Sequence, residues 1–477
     1  MSSSVYPTGT TIYDAEKCWN GYTIFQARNI GATLIDMKGN VVNQWKGLQG
    51  FPNKILPGGY VIGSTGVRNP QYGYQDYLDL VQVDWDGNII WKFDRYERIK
   101  DPRQKPTWMA RQHHDFQREG NPVGYYVPKM DPLVDRGNTT ILCHKNLNNS
   151  QISDKRLLDD TIIEVTWDGK IIWEWIFSDH FNEMGFSEEA KNTLARNPKI
   201  IDISGGIGDW MHVNSMSTLG PNKWFDSGDA RFHPDNIIWS SRQTNIMGIT
   251  DKLSGQIAWQ VGPDYINTKA HQKLGQIIGQ HHAHMIPRGL PGEGNILVFD
   301  NGGRAGYGTP NPGAPTGVSN AIRDYSRILE YDPVTLEILW KYTPKEAGFS
   351  EPMQSYKFYS HLVSSAQRLP NGNTMITEGG GGRIFEITPE YEITWEYICP
   401  YLEKKRNLNT VYRAYRVPYE WIPQVEKPEE KSIPRIDNCN FRVPGSPRRK
   451  AQKVTTIKSK RKFTFENQSC VLPNKTE

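Results

Sequence analysis

Six short segments of this chain share one pattern: a β-rich run, a turn containing Asp, Gly or Pro, then a second run that ends in Trp. They are Leu34–Trp45, Val83–Trp91, Val165–Trp173, Ile249–Trp259, Glu330–Trp340 and Ile387–Trp395. In Val83-Asp-Trp-Asp-Gly-Asn-Ile-Ile-Trp91 and Val165-Thr-Trp-Asp-Gly-Lys-Ile-Ile-Trp173 the middle is Asp-Gly, which tolerates the positive φ of a tight hairpin turn. The β-branched flanks suit a pleated surface, and the closing Trp places a large apolar area at a fixed point of each unit. Successive Trp lie 46, 82, 86, 81 and 55 residues apart. The shortest spacings match the roughly 40–50 residues of a four-stranded propeller blade, and the longest leave room for insertions of about 35–40 residues. The expected fold is therefore all-β: a six-bladed β-propeller over residues 1–425, built round a central channel.

A second element recurs between the repeats. It is a His followed by a turn rich in Gly, Pro and Asn and then an apolar run, as in His282–Leu297 and His361–Ile376. In both, His stands eight residues before Leu-Pro. His212, in Asp209-Trp-Met-His-Val-Asn-Ser-Met216, and His114, in His113-His114-Asp115-Phe116, hold comparable places in their own units. The ring symmetry of a propeller brings equivalent positions of different blades towards one axis, so these histidines are expected to converge.

Composition narrows the rest. With 37% hydrophobic residues, 15 Trp and 23 Tyr, the chain suits an aromatic-rich, turn-rich β protein, and no apolar run reaches the roughly 20 residues of a membrane-spanning helix. The first residues, Met-Ser-Ser-Ser-Val-Tyr-Pro, lack the basic and apolar regions of a leader peptide, which fits a cytoplasmic chain or one whose leader has been removed. The 5 Cys form no CxxC pair, so neither a zinc knuckle nor a disulfide framework is indicated, although Cys399 and Cys439 leave room for one bridge. Eight basic residues and no acidic one lie between Arg448 and Lys462; removing them from the net charge of +4 leaves the remainder at −4. Residues 426–477 are accordingly read as an irregular, extended, basic arm that is solvated rather than bound to nucleic acid or membrane.

The stretch Gly279-Gln280-His281-His282-Ala283-His284-Met285 puts three of the 11 His within four residues, and imidazole serves as nucleophile, acid, base or ligand near neutral pH. Adjacent residues of a strand face opposite ways, so His281 and His282 are not expected to share a site. Three arginines stand at strand ends: Arg242, Arg327 and Arg383. The planar guanidinium fork suits the oxygens of a sulfate, phosphate or carboxylate, and an ordinary salt bridge is the competing reading for each. Gly379–Gly382 either cradles an anion through its backbone or permits close approach of two chains.

Several blocks together resemble the bacterial arylsulfate sulfotransferases, which do not use an adenylyl-sulfate donor. They are Asp209–Met216, Ile238–Gln243, Gln280–Ala283, Phe299–Gly302, Tyr325–Tyr331, and His361 ahead of Leu369-Pro-Asn-Gly-Asn373. The resemblance runs from about residue 15 to about residue 420. It implies a six-bladed propeller with its site near the axis, and transfer of a sulfuryl group from an aryl sulfate to a phenol. By motif, His212, His281 and Arg327 would hold the sulfate oxygens and His361 would take the sulfuryl group transiently. His282, His114, Arg242, Arg383 and Asn301 would complete substrate binding. No cofactor and no metal is expected on this reading, self-association stays open, and the family's exported members imply a periplasmic or secreted compartment. The separate N-terminal β domain of well-known members is not evident, and either His281 or His282 fits the single position the family needs. Three other readings compete: a lyase or hydrolase with a metal held by histidines drawn from His281, His282, His284 and another His, at most two of the three sharing it; a non-catalytic anion-binding propeller; and a quinone-dependent dehydrogenase.

Overall fold

The computed structural model describes residues 7–68, 75–199, 207–403 and 408–434. Six antiparallel sheets of four principal strands follow one another along the chain as the blades of a six-bladed propeller. Each Trp-terminated repeat forms the outer hairpin of a blade, as in Leu80–Val83 with Ile89–Phe93 of the second blade and Arg383–Ile387 with Ile393–Ile398 of the sixth. The inner strands are Ala414–Val417, Gln49–Leu56, Gln112–Arg118, Val213–Thr218, His281–Met285 and Ser365–Arg368, in order round the ring from the first blade to the sixth.

The ring is closed twice. Ala414–Val417, from the far end of the chain, pairs with Tyr22–Ala27 and so completes the first blade from inside. Gly9–Tyr13 pairs with Ile393–Ile398 and adds a fifth strand to the outer edge of the sixth. The aromatic stretch 412–423 therefore supplies one of the propeller's inner strands. The start of the C-terminal arm is held too, since Ile433 N–H donates to Tyr13 O at 3.1 Å and Ala15 N–H to Ser432 Oγ at 2.9 Å. The basic run Arg448–Lys462, Cys439 and Cys470 lie outside the described residues, and with them the disulfide reading; Cys18, Cys143 and Cys399 are buried thiols.

The repeated Trp has a second use that composition does not reveal. Each indole N–H reaches a backbone carbonyl in the hairpin turn of the next blade: Trp45 to Asp84 (2.8 Å), Trp91 to Trp167 (2.8 Å) and Trp175 to Gly255 (2.6 Å). The series continues with Trp259 to Pro333 (2.7 Å), Trp340 to Pro389 (3.3 Å) and Trp395 to Met37 (2.7 Å), the last closing the circle from the sixth blade to the first. In the third blade Trp173 makes a parallel bond to Lys252 O at 3.2 Å. The indole fills the gap between blades with apolar area and satisfies a carbonyl that the turn leaves over.

Insertions decorate this frame. A short 3-10 segment, Phe177–Met184, and a helix, Glu188–Arg196, capped by Ser187, join the third and fourth blades. The loop after the inner strand of the third blade sends Tyr125 between inner strands, where its hydroxyl meets His284 Nε2 at 2.8 Å and its ring packs on Tyr415. Among the described residues, no helix is long and apolar enough to cross a membrane.

Candidate functional site

Four residues at the entrances of successive inner strands have nearly the same positive φ: His114 (54°), His212 (53°), His282 (53°) and Val363 (53°). A left-handed residue there interrupts the alternation of the strand and re-aims its neighbours towards the axis. The conformation is costly for residues with a Cβ, most of all for a β-branched one, and it persists because the ring packs round it. The four positions show how the blades correspond. The spacing to Leu-Pro pairs His361 with His282, whereas the backbone pairs Val363 with His282. His361 lies two residues earlier, half-buried at the rim.

Near the axis two imidazoles, His114 and His281, flank Tyr412, and His212 packs on His114. The rings of His114 and His212 are 4.7 Å apart and nearly perpendicular; Tyr412 lies 5.7 Å from His114 and 6.4 Å from His281. Tyr412 is held by its own hydroxyl, which donates to Asn214 O at 2.8 Å. His212 Nδ1 is 2.6 Å from Asp209 Oδ2, and both are buried. Burial pushes the Asp209 carboxyl up, but the charge and hydrogen bond of His212 outweigh it and hold the group below its ordinary value.

The tautomers follow from the partners. Asn301 Nδ2 donates to Ser360 O (2.6 Å) and Val363 O (2.8 Å), which orients its amide and leaves Oδ1 facing His281 Nδ1 at 2.8 Å. Gly279 O lies 3.1 Å from the same nitrogen. Two acceptors at Nδ1 require Nδ1–H, so a neutral His281 presents its lone pair at Nε2. Asp209 sets His212 the same way. Burial, reinforced by the positive charges of Arg242 and His212, depresses His281 well below the usual imidazole range, although the Asn301 bond opposes the shift. His114 is likewise depressed by burial and then by the neighbouring His212 and His113.

Asn301 thus ties His281 to the loop that carries His361. Gly303 lets the two segments meet: a Cβ there would sit 2.3 Å from the His361 carbonyl oxygen. The His361 ring is 6.0 Å from that of Tyr359, a half-buried phenol with Asp324, Arg323, Arg242 and Arg304 in its electrostatic surroundings. Arg242 is itself buried, and its backbone N–H donates to His212 O at 3.1 Å.

Other expected residues are placed elsewhere. Arg327 spends its guanidinium on Asp300 (2.6 Å) and on the carbonyls of Leu274 (3.3 Å) and Gln276 (3.0 Å), the salt-bridge reading rather than the anion-clamp one. Arg383 is paired with Glu396 (2.6 Å) and Glu378 (3.2 Å) over the ring of Phe385. The three histidines of 281–284 do not converge on one point. His282 Nδ1 bonds Ala366 O at 2.9 Å, and His284 lies between His282 O and the Tyr125 hydroxyl. The N–H groups of Gly379 and Gly380 bond the hydroxyls of Ser364 and Ser360, and a Cβ on Gly379 would meet Val411 O at 2.1 Å, so close approach accounts for these two glycines.

Some of the machinery has no repeat to announce it. Below the imidazoles, Asp115 is clamped between Lys54 (2.7 Å) and Arg413 (2.8 Å), all fully buried, and Arg413 also donates to Tyr415 Oη at 2.9 Å. Burial depresses Lys54 despite the neighbouring carboxylate, while the two cations keep Asp115 ionised. Asp209 was within reach of sequence reasoning, because it stands three residues before His212 in a quoted block.

No curated protein matches the chain. Among solved structures, a Bacteroides caccae protein of unknown function is 11% identical over 83% of this chain and 99% of its own, with a TM-score of 0.41. A streptogramin B lyase is 12% identical over 82% of each chain, at a TM-score of 0.35. Sqt1 of Saccharomyces cerevisiae is 9% identical over 87% of this chain and all of its own, at 0.34. At such scores these likenesses carry no argument about chemistry. The family model for arylsulfotransferase (ASST), in contrast, matches residues 131–413, which contain Asp209, His212, Arg242, His281, Asn301, His361 and Tyr412, and the chain belongs to the arylsulfotransferase family.

Proposed function

We propose that this protein is a sulfotransferase that moves a sulfuryl group from an aryl sulfate to a phenol through a sulfo-histidine on His361, without an adenylyl-sulfate donor. The observation that carries the reading is the convergence of His114, His212 and His281 beside Arg242 and Tyr412, with Asn301 joining His281 to the His361 loop. Membership of the family supports sulfotransferase activity in general.

The chemistry runs in two halves. A ring nitrogen of His361 attacks sulfur, the S–O bond to the aryl group breaks, and the phenolate leaves with the electron pair. His212 in its imidazolium form, with Nδ1–H held by Asp209, delivers the Nε2 proton to that oxygen and is left neutral. In the second half a phenol attacks the sulfo-imidazole, its proton passes to an imidazole, and His361 is regenerated. By analogy with phosphoryl transfer, charge spreads over the three sulfuryl oxygens in a loose transition state, where Arg242 stabilises it. Tyr412 and Tyr359 offer ring faces to the aromatic partner. Arg327 and Arg383 act in this scheme as supports of the fifth and sixth blades rather than as anion clamps.

Incubation of the full chain with 4-nitrophenyl sulfate, followed by intact-mass and peptide spectrometry, tests the proposal. The expected result is a gain of about 80 Da, one SO3, mapped to His361, discharged by added phenol, and absent from His361→Asn. Tight binding of the ester with no nitrophenol released would instead favour an anion-binding propeller. A label mapped to His281, which presents its Nε2 lone pair, would move the nucleophile.

A further inference from the structure

Behind the axial site the third blade contains a second cluster that the proposed reaction does not use. His113, His144 and Asp160 come from three adjacent strands, Gln112–Arg118, Thr139–Asn149 and Ser153–Val165, and all three side chains are fully buried. One ligand atom from each lies within 4.8 Å of the others. His113 Nε2 is 3.0 Å and His144 Nε2 3.9 Å from Asp160 Oδ1, and the two rings stack with centroids 3.7 Å apart.

These atoms are close but do not satisfy one another. His113 Nε2, both nitrogens of His144 and Asp160 Oδ1 are buried without a hydrogen-bond partner, so the 3.0 Å approach lacks hydrogen-bond alignment. Asp160 is a buried carboxylate, and among the described residues only the two imidazoles stand within ion-pair distance of it. Its other oxygen accepts Val213 N–H at 3.1 Å, which orients it. A buried carboxylate without a cation and three orphaned donor atoms aimed at one point are costly unless a further group joins them.

We infer that His113 Nε2, His144 Nε2 and Asp160 Oδ1 form a binding site for a divalent transition-metal ion of the zinc type, separate from the axial histidines. Two imidazoles and one carboxylate are a zinc ligand set. Bonds of roughly 2.0–2.1 Å in a tetrahedron place ligand atoms about 3.3–3.4 Å apart, within the range spanned by the two measured separations. The outer nitrogen of His113 has a supporting contact of the kind metal-bound histidines make, since His113 Nδ1 is 2.8 Å from His114 Nδ1; His144 Nδ1 lies 3.9 Å from Asp76 Oδ1, within ion-pair but not hydrogen-bond distance.

The His113–His114 contact gives the ion a consequence at the axis. With Nε2 on the metal, neutral His113 carries its proton on Nδ1 and donates it to His114 Nδ1. His114 must then carry its own proton on Nε2, as a donor. With the site empty and the His113 proton on Nε2, the bond reverses and His114 Nε2 becomes an acceptor. The ion thereby positions a proton next to His212 without touching substrate.

The full chain, stripped with chelator and re-titrated with Zn²⁺ or Co²⁺, tests the site. The expected result is one ion per chain, visible Co²⁺ bands of tetrahedral intensity, and affinity at least tenfold weaker in His144→Gln and Asp160→Asn but unchanged in His281→Asn. Histidine ¹⁵N shifts of the native chain should move the His114 proton to Nε2 on Zn²⁺ addition. Folded native protein that holds no ion and shows no Co²⁺ bands overturns the site, as does unaltered affinity in folded His144→Gln. The native Co²⁺ spectrum decides if the variants do not fold.

Discussion

At the scale of the residue, the assignment of acid and base rests on which nitrogen each imidazole has free. Asp209 holds His212 Nδ1 at 2.6 Å and Asn301 holds His281 Nδ1 at 2.8 Å, so both rings turn Nε2 to the site. If His212 protonates the departing phenolate, its need grows with the leaving group's pKa. Asp209→Asn should therefore lower kcat by roughly 100-fold for sulfates of phenols with pKa near 10, and far less for 4-nitrophenyl sulfate. An equal loss for both, read from a leaving-group series, would assign the pair to anion binding instead. His212 was legible because Asp209-Trp-Met-His is a compact motif. The true register of His361 was not, because it depends on a positive φ at Val363, a residue whose side chain gives no sign of it.

At the scale of the element, the repeat proves to be a device for joining blades as well as for making hairpins. The Asp- or Gly-containing turn that closes one outer hairpin also offers the carbonyl that receives the indole N–H of the preceding blade. Periodicity could place the Trp but not its partner, since the accepting carbonyl lies about 75–80 residues away at Pro333 for Trp259 and at Gly255 for Trp175. Trp259 is buried, and Trp259→Phe keeps most of its area while leaving Pro333 O unpaired. Urea unfolding should show a loss of about 1–2 kcal/mol for that change, and about 3–5 kcal/mol for Trp259→Ala. The half-buried Trp340, with a longer bond of 3.3 Å, should lose less in the same comparison.

At the scale of the whole molecule, closing the ring buries titratable groups that the isolated blades would leave in water. His281, His282 and His284 are all depressed chiefly by burial, His284 to about 4. The unfolded chain takes up protons near 6.5 where the folded one does not, so this contribution to stability is present at pH 7 and lost as pH falls towards 4. For His284 alone the loss at pH 5 is about 2 kcal/mol. Melting temperature should drop steadily from pH 7 to pH 5, and His284→Gln should flatten the slope by about one proton; an unchanged slope would mean His284 is not held neutral. The sequence by itself determined the class and number of units, because hairpin alternation and a bulky Trp at each unit's end are local properties. It also determined the family, through short blocks of fixed wording. Only the tertiary structure decided which side chains meet. The identity of a site residue depends on strand register, on left-handed bulges, and on partners such as Arg413, Lys54 and Asp115 brought together across the ring. Arg327 and Arg242 look alike in the chain, and nothing in it tells that Asp300 lies beside Arg327.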